Sequence, residues 1–372
     1  MYDVVVIGGN LAGTSAALAA ASKGLNVALV ERNKHPFQPA HCGEEIDIEI
    51  LRFFDLYNLN YTKNHIKKFI INVGVKEYDF EFKKDVFLIV DRNFIENELL
   101  KRTKNIGVKL ILGNRMKKFN KPHEIVLADD TSINGKIIID SSGITCQVGK
   151  HIGIDTKLKP EDIGVGIQSR VQSNFNAGIV KIWFHEPFAP SGYAYLFPLT
   201  DKIANIGIGV KGGQKLDLNK LLHNYIKHEI KSDYKILSTF RSCVPVASPL
   251  KRLYRDNVMI TGDAARLSNS LTGGGIRNAM VSGTIAGLVA VKYLNKEIQS
   301  LELYQSLLNK KIKSLTKIHR KKIKMENAKN FIKGYSRSFS VLCKLNKLAP
   351  NFSQNYVLKS YRKDGLMINS LK

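Results

Sequence analysis

Asp3-Val4-Val5-Val6-Ile7-Gly8-Gly9-Asn10-Leu11-Ala12-Gly13 is the stretch that decides the fold. Its first five residues form an apolar, β-branched run suited to a strand buried on both faces. Gly8-Gly9 ends that strand, and the alanine-rich stretch from Leu11 to Ser22 reads as a helix. Val27-Ala28-Leu29-Val30 is a second buried strand ending at Glu31, which completes a βαβ unit. A dinucleotide-binding loop needs a tight turn, a residue without bulk facing the pyrophosphate, and close contact between helix and strand. Gly8 and Gly13 meet the first and last needs, while Asn10 stands at the middle glycine of the usual Gly-x-Gly-x-x-Gly pattern. Asparagine tolerates positive φ better than most residues, so the turn is expected to survive with Asn10 adopting it. Glu31 lies 18 residues beyond Gly13, where an acid accepts hydrogen bonds from the adenosine ribose hydroxyls.

Later stretches say which dinucleotide. Ile137-Ile138-Ile139-Asp140-Ser141-Ser142-Gly143 is a strand ending in small residues that let backbone pass near a cofactor, although alone it could be any strand exit. Val258-Met259-Ile260-Thr261-Gly262-Asp263-Ala264-Ala265-Arg266 repeats the strand–glycine form, and Asp263 alone could be a helix cap. Leu271-Thr272-Gly273-Gly274-Gly275-Ile276 then opens a long helix of small residues. Its backbone N–H groups and positive end can meet an electron-rich flavin edge. A nicotinamide-binding domain has no use for so distant an element, whereas a two-part FAD domain does. FAD is therefore the expected cofactor, and only one dinucleotide fold is evident.

Elsewhere, residues 32–60 read as a long loop and a helix, Phe69 to Val90 as short strands, Arg92 to Asn105 as a helix and Val108 to Leu112 as a strand. Period-two alternation from Gly164 to Val210 predicts an antiparallel sheet separate from the first, and residues 217–232 an amphipathic helix. The fold class is α/β: a discontinuous Rossmann-like FAD-binding domain (1–65, 86–160 and 250–298), an antiparallel-sheet substrate domain (66–85 and 161–249), and a basic helical C-terminal segment (299–372), broken at Gly334 and Pro350.

The 372 residues carry a formal net charge of +25, and residues 301–372 hold 17 Lys/Arg against 3 Asp/Glu. That excess suits nucleic acid, an anionic membrane surface or an acidic partner, unless it reflects a lysine-rich composition throughout. The basic residues show no regular interleaving with aromatics, which argues against nucleic acid. Cys42, Cys146, Cys243 and Cys343 have no metal-ligand spacing and no disulfide pattern, so no metal and a cytoplasmic setting are expected. The longest weakly polar stretch, Ala279 to Val291, falls short of the roughly 20 apolar residues of a spanning helix.

The order of these motifs resembles flavoproteins of the p-hydroxybenzoate hydroxylase superfamily, and within it the geranylgeranyl reductase family. Cys42-Gly43-Glu44, Pro190-Ser191-Gly192-Tyr193-Ala194-Tyr195-Leu196-Phe197-Pro198 and Asn205-Ile206-Gly207-Ile208-Gly209 carry the likeness. They match a PxxYxWxFP pattern followed by NxGxG, with Tyr195 in the tryptophan's place, and the resemblance runs from residue 1 to about 295. It implies FAD-dependent saturation of isoprenoid double bonds in archaeal membrane phospholipids. By motif, FAD would be held by Ala12, Glu31, Cys42, Gly43, Glu45, Arg92, Met116, Asp263, Gly275 and Ile276, beside Gly8 and Gly13 of the loop. Glu45 stands where a glycine is common, and Arg92, at a helix start, suits a pyrophosphate or simply solvent.

Hydride chemistry belongs to the flavin, but an unactivated alkene also needs a proton. Cys42 is the expected catalytic residue, relaying or steering that proton, or else a small buried hydrophobe. Tyr193, Tyr195 and Phe197 alternate along one strand and share a face, which lines a tunnel for the isoprenoid lipid substrate or serves as sheet core. Expected partners are a small acidic electron donor such as a ferredoxin and, peripherally, the anionic membrane. An aromatic-ring monooxygenase and a non-redox carotenoid cyclase are the alternatives on the same fold.

Overall fold

The computed structural model describes residues 1–34, 42–81, 87–120 and 122–326, and beyond them Ser340, Asp364, Ile368 and Asn369. His41, Cys343 and the breaks expected at Gly334 and Pro350 lie outside the described residues. The chain begins β1 (Tyr2–Ile7), α1 (Leu11–Ala21), β2 (Val27–Glu31), β3 (Glu45–Asp47), α2 (Ile48–Phe53), β4 (Lys63–His65), β5 (Lys68–Val73) and β6 (Lys76–Glu81). Next come β7 (Phe87–Val90), α3 (Arg92–Asn105), β8 (Lys109–Leu112), β9 (Met116–Asn120), β10 (Glu124–Leu127), β11 (Ser132–Asp140), β12 (Ile163–Gln172) and β13 (Ile179–His185). It ends β14 (Ala189–Pro198), β15 (Ile203–Lys211), α4 (Leu218–Glu229), β16 (Lys235–Pro245), β17 (Tyr254–Arg255), β18 (Val258–Ile260), α5 (Ile276–Leu294) and α6 (Glu302–Glu326).

Among the described residues the strands form three sheets. The first runs β17-β18-β11-β1-β2-β8, with the β9–β10 ribbon on β11, and the five strands from β18 to β8 are parallel. Val4, Val5, Val6, Ile137, Ile138 and Ile139 are fully buried, as unbroken β-branched runs demand of a sheet covered on both faces. On one face α1 meets α5 so closely that a Cβ on Gly283 would lie 2.1 Å from the Ala12 carbonyl oxygen, and one on Gly287 2.4 Å from that of Ala16. The small residues of these helices are therefore a packing requirement.

The second sheet runs β16-β12-β15-β14-β13-β5-β6. It is antiparallel except at the β13–β5 seam, which is parallel and was not legible in the alternation. The amphipathic α4 covers one face, where Leu222, Tyr225 and Ile226 pack on Ala194, Leu196, Ile206 and Ile208. Tyr193, Tyr195 and Phe197 point to the other face, toward the first sheet's loops. The third sheet, β3-β7-β4, is small. No helix among the described residues is long and apolar enough to cross a membrane, and no His/Cys/Asp/Glu group among them could hold a metal ion.

Candidate active site

A cavity of about 1730 Å³ lies between the first sheet's loops, the open face of the second sheet, and α6. Ligand pockets usually measure roughly 300–1,000 Å³, so this one has room for a dinucleotide and a second large ligand. Of the sequence-predicted residues, Gly8, Ala12, Glu31, Cys42, Gly43, Glu45, Arg92, Met116, Tyr193, Tyr195, Phe197, Asp263, Gly275 and Ile276 all line it. Gly13 stands one layer behind.

The Gly8–Gly13 loop is built as the sequence requires, with one correction. Asn10 sits at φ −76, ψ −175, which is extended backbone; the positive φ, +100, belongs to Gly8. Asn10 instead caps α1, its Oδ1 accepting the Leu11 N–H at 2.7 Å. The turn therefore never asks for asparagine's tolerance of positive φ; it asks for a short acceptor. Gly13 permits the close helix–strand contact, since a Cβ there would lie 1.8 Å from the Gly8 carbonyl oxygen. Glu31 holds the loop from below: Oε2 accepts the Gly9 N–H at 2.8 Å and Oε1 that of Asn33 at 2.9 Å. No acidic residue lies in the first turn of α1, and α5 starts at Gly275 with neither a side-chain cap nor an acid. Two positive helix ends thus face the cavity without an acid in their own first turns, and the Asp263 carboxyl lies beside Gly275 at the start of α5. Asp263 lies in a short turn of 3-10 helix rather than capping α5, and burial holds its carboxyl above the usual range.

Arg92 opens α3 but does not project freely. Its guanidinium binds the buried Glu96 through Nε at 2.8 Å and Nη2 at 2.6 Å, and Nη2 reaches Asn10 Oδ1 at 3.1 Å. It also interacts with Cys42, whose Sγ accepts the Glu44 N–H at 3.3 Å.

On the second sheet the register sets three rows across β14, β15 and β12: Tyr193–Gly209–Gly166, Tyr195–Gly207–Gln168 and Phe197–Asn205–Arg170. Tyr195 lies over Gly207, where a Cβ would approach its Cζ to 2.4 Å, and its hydroxyl donates to Gln168 Oε1 at 2.7 Å. Tyr195 and Phe197 ring centroids are 4.7 Å apart. Gly43 fits against Phe197, a Cβ there falling 2.8 Å from the ring.

Glu44, Asn205, Arg170 and Gln168 were not identified as site residues from sequence. Glu44 is fully buried at φ +67, a conformation costing a non-glycine residue about 1 kcal/mol. Arg170 and the Asn205 amide, the latter at 2.7 Å, both bind its Oε2, while Oε1 is buried without a partner. Burial raises its pKa against the pull of Arg170. Glu44 and Asn205 fall inside the quoted motifs, so a signal existed; Arg170 and Gln168 gave none, because only strand register brings them there.

A family model described as the geranylgeranyl reductase catalytic domain matches residues 162–244, and one described as FAD dependent oxidoreductase matches residues 3–36. Digeranylgeranylglycerophospholipid reductase of Methanothrix thermoacetophila is 30% identical over 82% of this chain and 82% of its own length. The protein of the same name from Methanosarcina acetivorans is 28% identical over 85% of this chain and 81% of its own. A geranylgeranyl bacteriochlorophyll reductase-like protein from Thermoplasma acidophilum shares the fold, with a TM-score of 0.79 at 23% identity over 86% of this chain and 87% of that one. FAD fits the residues present: an acid after the second strand, a loop whose glycines leave no room for a Cβ, and two helix N-termini at one cavity.

Proposed function

The chain belongs to the digeranylgeranylglycerophospholipid reductase family, and on that premise we propose that it saturates geranylgeranyl double bonds in an archaeal membrane-lipid precursor. It is an FAD-dependent oxidoreductase acting on carbon–carbon bonds. The observation that carries the reading is the two-sided cavity, with a dinucleotide loop on one wall and the row of Tyr193, Tyr195 and Phe197 on the other. Bound FAD supplies a hydride from its reduced ring.

The chain's own residues bind, orient and exclude water. Residues 1–65, 86–160 and 250–298 are assigned to hold the cofactor and 66–85 and 161–249 the substrate, a division supported by membership of the first two sheets. Glu31 takes the ribose, Gly8 and Gly13 admit the pyrophosphate, and Arg92 adds a fixed positive charge beside Asn10. Ala12, Met116, Asp263, Gly275 and Ile276 line the remaining cofactor wall, and Cys42, Gly43 and Glu45 line the cavity beside it. The aromatic row receives the isoprenoid chain and keeps water from it. Cys42, its sulfur fixed by the Glu44 N–H, steers the proton toward the alkene.

Mixing the anaerobic, dithionite-reduced protein with a geranylgeranyl lipid should restore the oxidised flavin absorbance, while a fully saturated lipid should not. A flavin that stays reduced with both lipids contradicts the reading. The net charge of +25 favours a small acidic donor such as a ferredoxin, so ferredoxin should reduce the flavin at low salt. Reduction by NADPH with none by ferredoxin overturns that choice. Residues 299–372 are assigned to contact with anionic lipid; binding to anionic vesicles should weaken with salt, and equal binding to neutral vesicles rejects the assignment.

A further inference from the structure

We propose that the Glu45 carboxyl is the acid that donates the proton to the substrate double bond, an inference that rests on the reductase reading above. Glu45 opens β3 and lines the cavity with Cys42 and Tyr193, its carboxyl close enough for its charge to act on the Tyr193 phenol. It makes no hydrogen bond or ion pair among the described residues.

The other carboxyls and the tyrosine hydroxyls of the cavity stand in different surroundings. Tyr193 donates its hydroxyl proton to the Thr272 carbonyl at 2.5 Å, and Tyr195 donates to Gln168. Burial pushes both phenols well up. Glu44 has one oxygen clamped by Arg170 and Asn205 and no exposed surface. Asp47 binds Arg277 at 2.5 Å and caps α2. Glu31 holds two backbone N–H groups. Asp263 likewise has no side-chain partner among the described residues, and burial raises its carboxyl too, but the charge of Arg92 opposes that rise, whereas no cation opposes it at Glu45.

Glu45 has the opposite surroundings. The packed β7 brings only Phe87, Leu88, Ile89 and Val90. The first turn of α2 adds Glu49, which turns to Arg52. The charge of α5 is Arg277, taken by Asp47 and Asp364. From β14 comes the neutral Tyr193 phenol. Burial first, and the like charge of Asp47 second, push the Glu45 carboxyl up to about 7. It is thus protonated in a useful fraction near neutrality while more acidic than an ordinary thiol, whose pKa is about 8.5.

The reaction balances. The π bond breaks; the carboxyl proton forms one C–H bond, and the hydride from reduced FAD, with its electron pair, forms the other. Glu45 is left as a carboxylate and regains its proton from water at the cavity mouth.

The test is the FAD-loaded Glu45→Gln variant, given a geranylgeranyl lipid under dithionite. Turnover should fall on the order of 10²-fold or more, within the range of a lost general acid, with unchanged flavin content. The descending limb of the wild-type rate near pH 7 should disappear. Glu45→Asp should recover part of the rate, and Cys42→Ala, though slower, should keep the limb. In the infrared, a protonated-carboxyl band titrating near pH 7 should be present in the wild type and absent from Glu45→Gln, with or without substrate. An active wild type whose Glu45→Gln variant matches it in rate and limb overturns the proposal alone. If Glu45→Gln fails to retain flavin, the wild-type band decides: no band titrating near pH 7 overturns the proposal. A wild type that reduces no geranylgeranyl lipid strikes the reductase reading instead.

Discussion

The Gly8–Gly13 loop and the Cys42–Asp47 segment line the same cavity, yet they are held in different ways. In the loop most contacts are short in sequence or close within one βαβ unit: Asn10 caps the next residue, Gly13 packs on Gly8, and Glu31 returns to Gly9, while Arg92 on Asn10 and Ser141 against Gly8 come from farther along the chain. The Cys42–Asp47 segment is fixed by residues far along the chain, Arg170 and Asn205 on Glu44 and Arg277 on Asp47. It also carries the less comfortable groups: a glutamate at positive φ and, among the described residues, a buried carboxylate oxygen with no partner and a carboxyl in the cavity with none. A loop that only holds a cofactor can be fully satisfied. On the proposed function, the Cys42–Asp47 segment acts on the substrate and keeps polar groups in reserve for it.

If that contrast is right, the largest effect comes from crowding the loop. Gly13→Val sets side-chain atoms against the Gly8 carbonyl, where even a Cβ would lie at 1.8 Å, and the purified protein should contain almost no FAD. A yellow, fully loaded Gly13→Val protein breaks the account of the loop. Next is Glu44→Ala, which leaves Arg170 without its carboxylate. Losing one partner of a buried pair costs about 3–5 kcal/mol, and the part-exposed Arg170 places this case near 3 kcal/mol. Denaturant unfolding measures it, and a loss below about 1 kcal/mol means that the clamp does not hold the segment.

Why one region was legible and the other only partly so follows from these contacts. Strand, turn and helix in residues 3–31 are specified by neighbours, and α3 falls where its pattern put it, at Arg92–Asn105. The shared face of Tyr193, Tyr195 and Phe197 follows from period two alone. That Arg170 would meet Glu44, or Gln168 meet Tyr195, depends on the pairing of β12 with β15 and β14 with β15, across 126 and 27 residues of sequence. No local pattern encodes such a meeting. The Asn10 correction has the same lesson at short range, since a residue's tolerance for a conformation does not mean that the site uses it.

Two smaller effects sharpen the comparison. The folded protein holds the Glu45 proton more tightly than the unfolded chain does, with a pKa of about 7 against 4.5. Stability should therefore fall as pH rises from about 4.5 to about 7, and Glu45→Gln should flatten that slope; an unchanged slope places the proton elsewhere. Tyr195→Phe keeps the ring over Gly207 and removes only the bond to Gln168. It should cost about 1 kcal/mol and leave turnover within a few-fold of wild type, measured by unfolding and by initial rates.

The most direct test of the central claim is mass spectrometry of a geranylgeranyl lipid after anaerobic incubation with the FAD-loaded protein and a reductant. The account predicts a lipid heavier by two hydrogens for each double bond saturated. An unchanged lipid, with the flavin verified as reduced, would contradict it.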